Sequence, residues 1–169
     1  MNNYEYRLNL VSQYIEKIEL PNKIQDYYKG RKILVTGGAG AIGSNLVITL
    51  SKLVGDDGMI IVLDNLSAIK GDEPVDLPPL SNMMFVNGDV RNDIDLKRVF
   101  REQPTIGYHL AAFFANQNSV DYPENSANVD INGIIKLLDY SQFTEVEKFV
   151  YASSGCAIYG SYGKMPLTE

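Results

Sequence analysis

Short apolar runs alternate with amphipathic stretches along most of this chain. Runs rich in Val, Ile and Phe predict strands at residues 32–36, 59–64, 83–87, 106–111 and 147–153. Between them, apolar residues recur at helical spacing and predict helices over residues 41–54, 94–102 and 124–142. Strands that alternate with helices are typical of a parallel sheet covered on both faces. We therefore predict an α/β fold, a doubly wound parallel sheet with strand order 3-2-1-4-5.

The first thirty residues precede this alternation and are predicted to form a helical extension. Apolar residues at helical spacing before Pro21 predict an amphipathic helix over residues 4–20: Leu8, Val11, Ile15 and Ile18. Its apolar face requires a cover, either the same domain or a second copy or partner protein. We predict a connection over residues 22–30 and one long irregular loop over residues 65–82. The chain is thus divided into an extension, residues 1–30, and an α/β domain, residues 31–169.

Composition and charge exclude several classes of partner. The chain is 45% hydrophobic and 21% charged, as in soluble globular proteins. A net charge of −6 without a basic cluster argues against nucleic acid and against anionic membrane as partners. No apolar run approaches the ~20 residues of a membrane span, and no signal-type apolar core begins the chain. The single cysteine, Cys156, excludes an internal disulfide, fits a reducing compartment and predicts a cytoplasmic location.

Three glycines mark the junction between the first predicted strand and the following helix. A strand that ends in glycines and restarts as a helix presents free backbone N–H groups at the positive end of the helix dipole, which favours a phosphate. Gly37 would serve the tight turn, Gly40 would admit a pyrophosphate, and Gly43 would let the helix pack on the strand. Glycine-rich turns also occur where nothing binds, so this pattern alone leaves a purely structural turn open.

An acidic residue at the end of the second predicted strand strengthens the nucleotide interpretation. Asp64 lies 21 residues after Gly43, which is the spacing of a Rossmann dinucleotide site. A carboxylate there can accept both hydroxyl groups of an adenosine ribose and would repel a 2′-phosphate. The sequence therefore predicts NAD as cofactor rather than NADP.

The ends of the later strands supply further candidates. Asp89 could accept a hydrogen bond from the adenine amino group, or it could cap the helix predicted at residues 94–102. Ala111 and Ala112 leave room for a flat cofactor, whereas the only histidine, His109, is interpreted as a packed residue rather than a general base. Ser154 could polarise a substrate hydroxyl or carbonyl, or serve only a turn.

Two further points complete the list of candidate chemistry. Cys156 is interpreted as a buried small residue and not as a nucleophile, since no second histidine exists to activate it. No metal site is predicted.

Taken together, these residues form a series of motifs, and the chain resembles the extended short-chain dehydrogenases/reductases, more narrowly their nucleotide-sugar epimerase/dehydratase group. The resemblance covers residues ~31–169. The motifs that carry it are Thr36-Gly37-x-x-Gly40-x-x-Gly43, Asp64-Asn65-Leu66-Ser67, Gly88-Asp89-Val90-Arg91, His109-Leu110-Ala111-Ala112, Ser119-Val120-Asp121-Tyr122-Pro123, and Ser153-Ser154 followed by Ile158-Tyr159-Gly160.

The resemblance implies a full set of NAD contacts in a Rossmann domain and one catalytic group. The residues implied to contact the pyrophosphate are Gly37, Gly40, Ala41, Ile42 and Gly43. Those implied for the adenosine are Asp64 and Asn65 at the ribose and Asp89 and Val90 at the adenine. Leu110, Ala111 and Ala112 would line the path toward the nicotinamide, and Ser154 matches the family's catalytic Ser/Thr.

The chain departs from the family pattern in three places. The usual Asn-Val-x-Gly-Thr reads Asp130-Ile131-Asn132-Gly133-Ile134, which questions the family's use of Asn to steady the active-site backbone. The segment from Ser154 to Tyr159 is one residue longer than the common pattern. The family's catalytic Tyr-x-x-x-Lys pair is expected beyond Pro166-Leu167-Thr168-Glu169 and is absent from residues 1–169.

These departures leave two functional hypotheses. In the first, the chain is the NAD-binding part of a nucleotide-sugar epimerase or dehydratase, truncated before Tyr-x-x-x-Lys and without its substrate domain. It would act through hydride transfer to NAD and a keto-sugar intermediate, be inactive alone, and self-associate, for example as a homodimer. In the second, it is a non-catalytic dinucleotide-binding module or regulatory subunit.

Overall fold

Five parallel strands form one sheet in the computed structural model, which describes residues 3–68, 77–113 and 116–154. The predictions made for Cys156 and for the segment that follows it therefore lie outside the described residues. The sheet has the order β3-β2-β1-β4-β5, which confirms the predicted doubly wound α/β architecture. Its strands are β1 (Lys32–Thr36), β2 (Met59–Asp64), β3 (Met83–Asn87), β4 (Ile106–His109) and β5 (Lys148–Tyr151).

Seven α-helices and one π-helical segment accompany the described part of this sheet. They are α1 (Asn3–Lys17), α2 (Asn22–Tyr28), α3 (Ala41–Val54), α4 (Asp93–Phe100), α5 (Asn116–Asp121), α6 (Pro123–Ser126), the π segment (Ala127–Asn132) and α7 (Gly133–Phe143). Within the described residues, none of these helices has the length and apolar character that a membrane span requires.

One sequence-based assignment was wrong, one helix was missed, and one predicted helix contains a π segment. Residues 22–30, predicted as a connection, contain helix α2, which is held by contacts of Tyr27 and Tyr28 with the core. Helix α5 was not predicted at all. The helix predicted over residues 124–142 is confirmed as a continuous helical stretch over residues 123–143, formed by α6, the π segment and α7. At the end of the π segment, a Cβ on Gly133 would lie 2.8 Å from Val90 Cγ2, so the chain packs there more closely than a side chain would allow.

Alternating residues of the central strands fill two cores, one on each face of the sheet. On β1, Ile33 and Val35 belong to the core that contains α3, whereas Leu34 belongs to the core that contains α4 and α7. All three are at most 1% exposed. This pattern follows from the two-residue period of a strand and explains why the strand sequences are almost continuously apolar.

Strand register brings three carboxyl ends to the same edge of the sheet. Thr36, the last residue of β1, pairs with Leu63 of β2 on one side and with His109 of β4 on the other. Segments that follow these strands must therefore start side by side. Ligands of open parallel sheets bind beyond this edge.

The N-terminal extension packs on the α/β domain through both of its helices. In α1, Arg7 donates to Ser44 Oγ on α3 at 3.0 Å, and Lys52 on α3 donates to Ser12 Oγ at 2.5 Å. In α2, the Tyr28 and Tyr108 hydroxyl groups share a hydrogen bond of 2.5 Å. Of the apolar face predicted for the first helix, Leu8, Val11 and Ile15 are half-buried, whereas Ile18 follows α1 and is exposed, so the same domain covers this face only in part. Three residues on another face of α1 stay exposed at intervals of four: Tyr6, Leu10 and Tyr14.

Candidate functional site

The glycine turn follows β1 and packs directly against the backbone that follows β4. Gly37 has a φ of +72°, in the left-handed region that glycine tolerates best. A Cβ on Gly37 would lie 2.6 Å from the backbone nitrogen of Ala111. Position 37 therefore requires glycine for its backbone conformation and for this close approach.

The other two motif glycines have different surroundings. A Cβ on Gly43 would collide with the Gly37 carbonyl oxygen, so Gly43 allows α3 to pack on the turn. Gly40 precedes α3 with φ −73° and ψ 172°, which any residue can adopt. The nearest described atom to a Cβ there would be the Gly37 carbonyl oxygen at 3.3 Å. A side chain at position 40 would thus be tight against one carbonyl oxygen, but apart from its chain neighbours no other described atom lies within 4 Å, so the rest of the space beside it is open.

Helix α3 begins beside this open space with its first N–H groups available. No side chain of the described residues caps the helix, and Ala41 and Ile42 are exposed. The first N–H groups of a helix have no partner within the helix, and the helix dipole is positive there. The turn can therefore bind an anion through backbone groups alone.

Asp64 at the end of β2 holds the glycine turn in place. Its Oδ2 accepts from the Ala39 N–H at 2.9 Å, and its Oδ1 accepts from the Leu66 N–H at 2.8 Å. Leu66 has a φ of 59°, a costly conformation for a leucine, and the second hydrogen bond supports it. Each carboxylate oxygen keeps further acceptor capacity for a ligand hydroxyl. Sequence reasoning assigned Asp64 to a ribose and missed its structural contacts.

Asp89, which follows β3, is engaged by two neighbouring side chains. Arg91 donates to both carboxylate oxygens, at 2.9 Å from Nε and 2.8 Å from Nη2, and Asn65 donates at 3.0 Å. The hydrogen bonds from Arg91 chiefly lower the pKa of Asp89 to about 2. With the Arg91 N–H, which also donates to Oδ1, all four acceptor positions are occupied. An adenine amino group would have to displace one of these donors.

The capping alternative for Asp89 is wrong. The N-cap of α4 is Asn92, whose side chain accepts from the Ile94 N–H at 2.8 Å. Val90, the other residue implied at the adenine, is 5% exposed and its side chain packs in the core. A ligand contact of Val90 would therefore involve its backbone.

A cleft of about 400 Å³ lies at the carboxyl ends of β4 and β5. The structure brings together here the residues predicted near the nicotinamide and the predicted catalytic serine. Its walls include Leu110, Ala111 and Ala112 on one side and Tyr151 and Ser154 on the other. Ser154 is exposed, so its hydroxyl group is accessible to a ligand.

Asp130 of the π segment also lines this cleft, and the sequence did not reveal its contacts. Its Oδ1 accepts from the Phe113 N–H at 2.8 Å, and its Oδ2 accepts from Ser126 Oγ at 2.9 Å. The carboxylate thus steadies the backbone after β4, the task that the missing Asn left in doubt. The only feature of the sequence that pointed to a special role for position 130 was its departure from the family pattern.

His109 is a packed residue, as the sequence predicted. It is 2% exposed, its Nδ1 shares a hydrogen bond of 2.6 Å with Thr36 Oγ1, and its ring stacks on Tyr151 at 5.5 Å between centroids. Burial lowers the pKa of His109 to about 4, so the ring is neutral at neutral pH. Across the described parts of the chain, no group of three or more potential ligands could hold a metal ion.

Comparison with known proteins was consistent with this geometry. The sequence profile of the NAD dependent epimerase/dehydratase family matches residues 33–169. UDP-glucose 4-epimerase of Mycolicibacterium smegmatis is 34% identical over 139 residues, which cover 82% of this chain and 43% of that protein.

Two solved structures are similar in sequence and fold. An epimerase from Methanothermobacter thermautotrophicus has a TM-score of 0.79 and 47% identity, covering 86% of this chain and 42% of its own. The NAD complex of Thermus thermophilus UDP-glucose 4-epimerase has a TM-score of 0.68 and 36% identity, covering 82% and 42%. The chain therefore spans about two-fifths of the length of these relatives.

The low pKa of His109 predicts acid sensitivity of the fold. The unfolded chain binds a proton at this histidine near pH 6.5, whereas the folded chain does so only near pH 4. Below pH 6.5 the unfolded state binds more protons, so the free energy of unfolding should fall as pH drops to 4, by on the order of 3 kcal/mol.

Urea unfolding of the wild type and His109→Gln, measured from pH 7 to pH 4, checks this prediction. Carboxylates also titrate in this range, but they are common to both proteins and cancel in the difference. The glutamine variant should show a flatter pH dependence. Parallel curves for the two proteins would contradict the prediction.

Proposed function

The chain belongs to the NAD dependent epimerase/dehydratase family, and we propose that residues 31–169 are the NAD-binding part of a nucleotide-sugar epimerase or dehydratase. The observation that carries this proposal is the open space beside Gly40, next to the uncapped start of α3. The protein's own packing gives little reason for a glycine at position 40. A bound pyrophosphate would give one, because it must come close to the backbone and accept hydrogen bonds from free N–H groups.

The remaining parts of NAD fit along the same edge of the sheet. The first turn of α3 would bind the pyrophosphate through the N–H groups of Ala41, Ile42 and Gly43, while Asp64 and Asn65 would bind the adenosine ribose. The adenine would lie against the segment that contains Asp89 and Val90. The path lined by Leu110, Ala111 and Ala112 then leads into the cleft for the nicotinamide.

The chemistry proposed for this cleft is reversible oxidation of a sugar carbinol. NAD, when bound, supplies the hydride acceptor, and a keto-sugar is the transient product. Ser154 would orient the sugar hydroxyl by a hydrogen bond, because it lies on the cleft wall and is accessible. A nucleotide sugar is the proposed substrate class because relatives of the chain are epimerases of this class.

A non-catalytic dinucleotide-binding module or regulatory subunit is the second candidate. It is favoured by the absence of an evident general base from the described cleft: His109 is buried, and both oxygens of Asp130 accept internal hydrogen bonds. A Tyr-x-x-x-Lys pair encoded downstream of Glu169 would favour the enzyme over this module.

Two further assignments complete the proposal. A cytoplasmic location is proposed from the single cysteine. Self-association is proposed because Ile131, Ile135 and Leu138 expose an apolar stripe on the π segment and α7.

The first test of this proposal is the effect of Gly40→Val on NAD binding. The backbone at position 40 accepts a side chain, so the protein should fold, but valine would occupy the space proposed for the pyrophosphate. Calorimetry should detect NAD binding to the wild type and none to this variant. Thr49→Val, a β-branched change two turns further along α3, is the matched control and should bind normally. A folded Gly40→Val protein with unchanged NAD affinity would show that the turn is only structural.

A second test concerns the choice between NAD and NADP. The wild type should prefer NAD by at least about 1 kcal/mol, since the Asp64 carboxylate repels a 2′-phosphate. Asp64→Asn removes the charge and keeps only one of the two acceptor oxygens, so the hydrogen bond to Ala39 or to Leu66 is lost; because this loss affects both dinucleotides, the difference between their affinities should still narrow. Asp57→Asn, an exposed acid in the turn before β2, should leave it unchanged. Equal affinities of the wild type for the two dinucleotides would refute the assignment of Asp64.

A third test concerns activity. Residues 1–169 with NAD and UDP-, GDP- or dTDP-hexoses should yield no epimer, keto-sugar or NADH above background. Loss of a general base costs on the order of 10²–10⁴ in rate, and loss of substrate orientation adds to it. NAD binding by the same sample would show that the protein is folded. Turnover at ordinary enzyme rates would place the base within these residues and contradict the expectation that residues 1–169 are inactive alone.

A further inference from the structure

We propose that Asp130 makes this site prefer the oxidised dinucleotide, NAD⁺, over NADH. The inference rests on the proposed function, because it takes the cleft at the ends of β4 and β5 as the nicotinamide site. It goes beyond that function by assigning a redox preference to one carboxylate. The resemblance to the family implies a neutral Asn at this position, and Asp130 departs from that pattern.

Two hydrogen bonds hold the carboxylate of Asp130 at the cleft. The Phe113 N–H donates to Oδ1 at 2.8 Å, and the Ser126 hydroxyl donates to Oδ2 at 2.9 Å. Because the two donors engage both oxygens, the side chain cannot turn away without losing one of them. A ring bound in a cleft of about 400 Å³ cannot lie far from this charge.

No cation neutralises Asp130 within the described wall of the cleft. The other lining residues there are apolar, hydroxyl-bearing or aromatic, and the histidine among them is neutral at neutral pH. The donors to Asp130 are a backbone amide and a hydroxyl group, both uncharged. The described wall of the cleft therefore carries a negative charge that none of its described residues compensates.

The two redox forms of the cofactor differ at the group that would sit in this cleft. The nicotinamide ring is positively charged in NAD⁺ and neutral in NADH, whereas the pyrophosphate and adenosine are the same in both. A carboxylate near the ring therefore stabilises bound NAD⁺ and contributes little to bound NADH. At a separation of about 6 Å and an effective dielectric constant of about 40 to 80, as in a cleft open to solvent, this difference corresponds to about threefold to tenfold in relative affinity.

A preference for NAD⁺ suits a reaction in which the cofactor first accepts a hydride from the sugar and then transfers it back. Before each turnover, the proposed mechanism requires the cofactor in its oxidised form. A fixed negative charge near the ring would favour that form at rest. An Asn could accept from the Phe113 N–H through Oδ1 and donate to Ser126 Oγ through Nδ2, without this electrostatic effect.

The test measures the dissociation constants of NAD⁺ and NADH for three forms of the 169-residue chain: wild type, Asp130→Asn and Ser126→Ala. The readout is the ratio Kd(NADH)/Kd(NAD⁺), and Asp130→Asn should lower it about threefold to tenfold. Ser126→Ala removes one hydrogen bond to Asp130 but keeps its charge. It should therefore change both affinities by the same factor and leave the ratio unchanged.

The outcomes separate this inference from the function on which it rests. If the wild type binds both forms and Asp130→Asn leaves the ratio unchanged, Asp130 is only a positioning residue and the inference is wrong. If the wild type binds neither form, the proposed function fails, and the inference fails with it. If Asp130→Asn does not fold, the wild type alone decides. The wild-type ratio Kd(NADH)/Kd(NAD⁺) should decrease as salt rises from about 20 mM to about 500 mM. Salt screens the attraction between Asp130 and the positive charge of the nicotinamide ring, which only NAD⁺ carries. A salt-independent ratio would overturn the inference.

Discussion

The close approach of the glycine turn to the backbone after β4 is the constraint on which the rest of this structure depends. The turn starts where Thr36 is paired on both sides, and Gly37 leaves no room for a side chain against Ala111. Its N–H donates to the Leu63 carbonyl, and the Leu110 N–H donates to the Thr36 carbonyl. Three strand ends are thus joined within a few ångströms. Because of this junction, α3 starts directly above the sheet edge, and its free N–H groups face the ligand side.

Carboxylates accept hydrogen bonds from backbone N–H groups at several positions along this edge. Asp64 supports the glycine turn, Asp130 supports the backbone after β4, and Asp95 accepts from the Asp89 N–H at 2.9 Å. Segments that leave a parallel sheet have backbone N–H groups without strand partners, and ionised acceptors satisfy them well. The same charges act on anything that binds there. Arg91 balances Asp89, whereas Asp64 and Asp130 have no cationic partner among the described residues.

The N-terminal extension packs against two of the elements that form this edge. Helix α1 is hydrogen-bonded to α3, and Tyr28 of α2 is hydrogen-bonded to Tyr108 of β4. Helix α3 and strand β4 in turn build the phosphate side and the nicotinamide side of the proposed site. Burial and the Tyr28 contact raise the pKa of Tyr108, so its hydroxyl stays protonated and the bond persists at any ordinary pH. The extension therefore contacts both of the elements that build the proposed site.

The sequence by itself determined the sheet, its order, the glycine turn and the position of Asp64 at a strand end. The two-residue and 3.6-residue periods, the glycines and the strand ends are local features that a short window of sequence contains, and the strand order follows from the alternation of strands and helices. Only the tertiary structure decided that Gly37 is required by Ala111, that Asp89 is engaged by Arg91 and Asn65, and that Asp130 reaches Phe113. Helix α2 and the π segment likewise depend on contacts with Tyr108 and Val90, which are distant in the chain. Such contacts form only when strands bring separate segments together, so no periodicity within one segment can encode them.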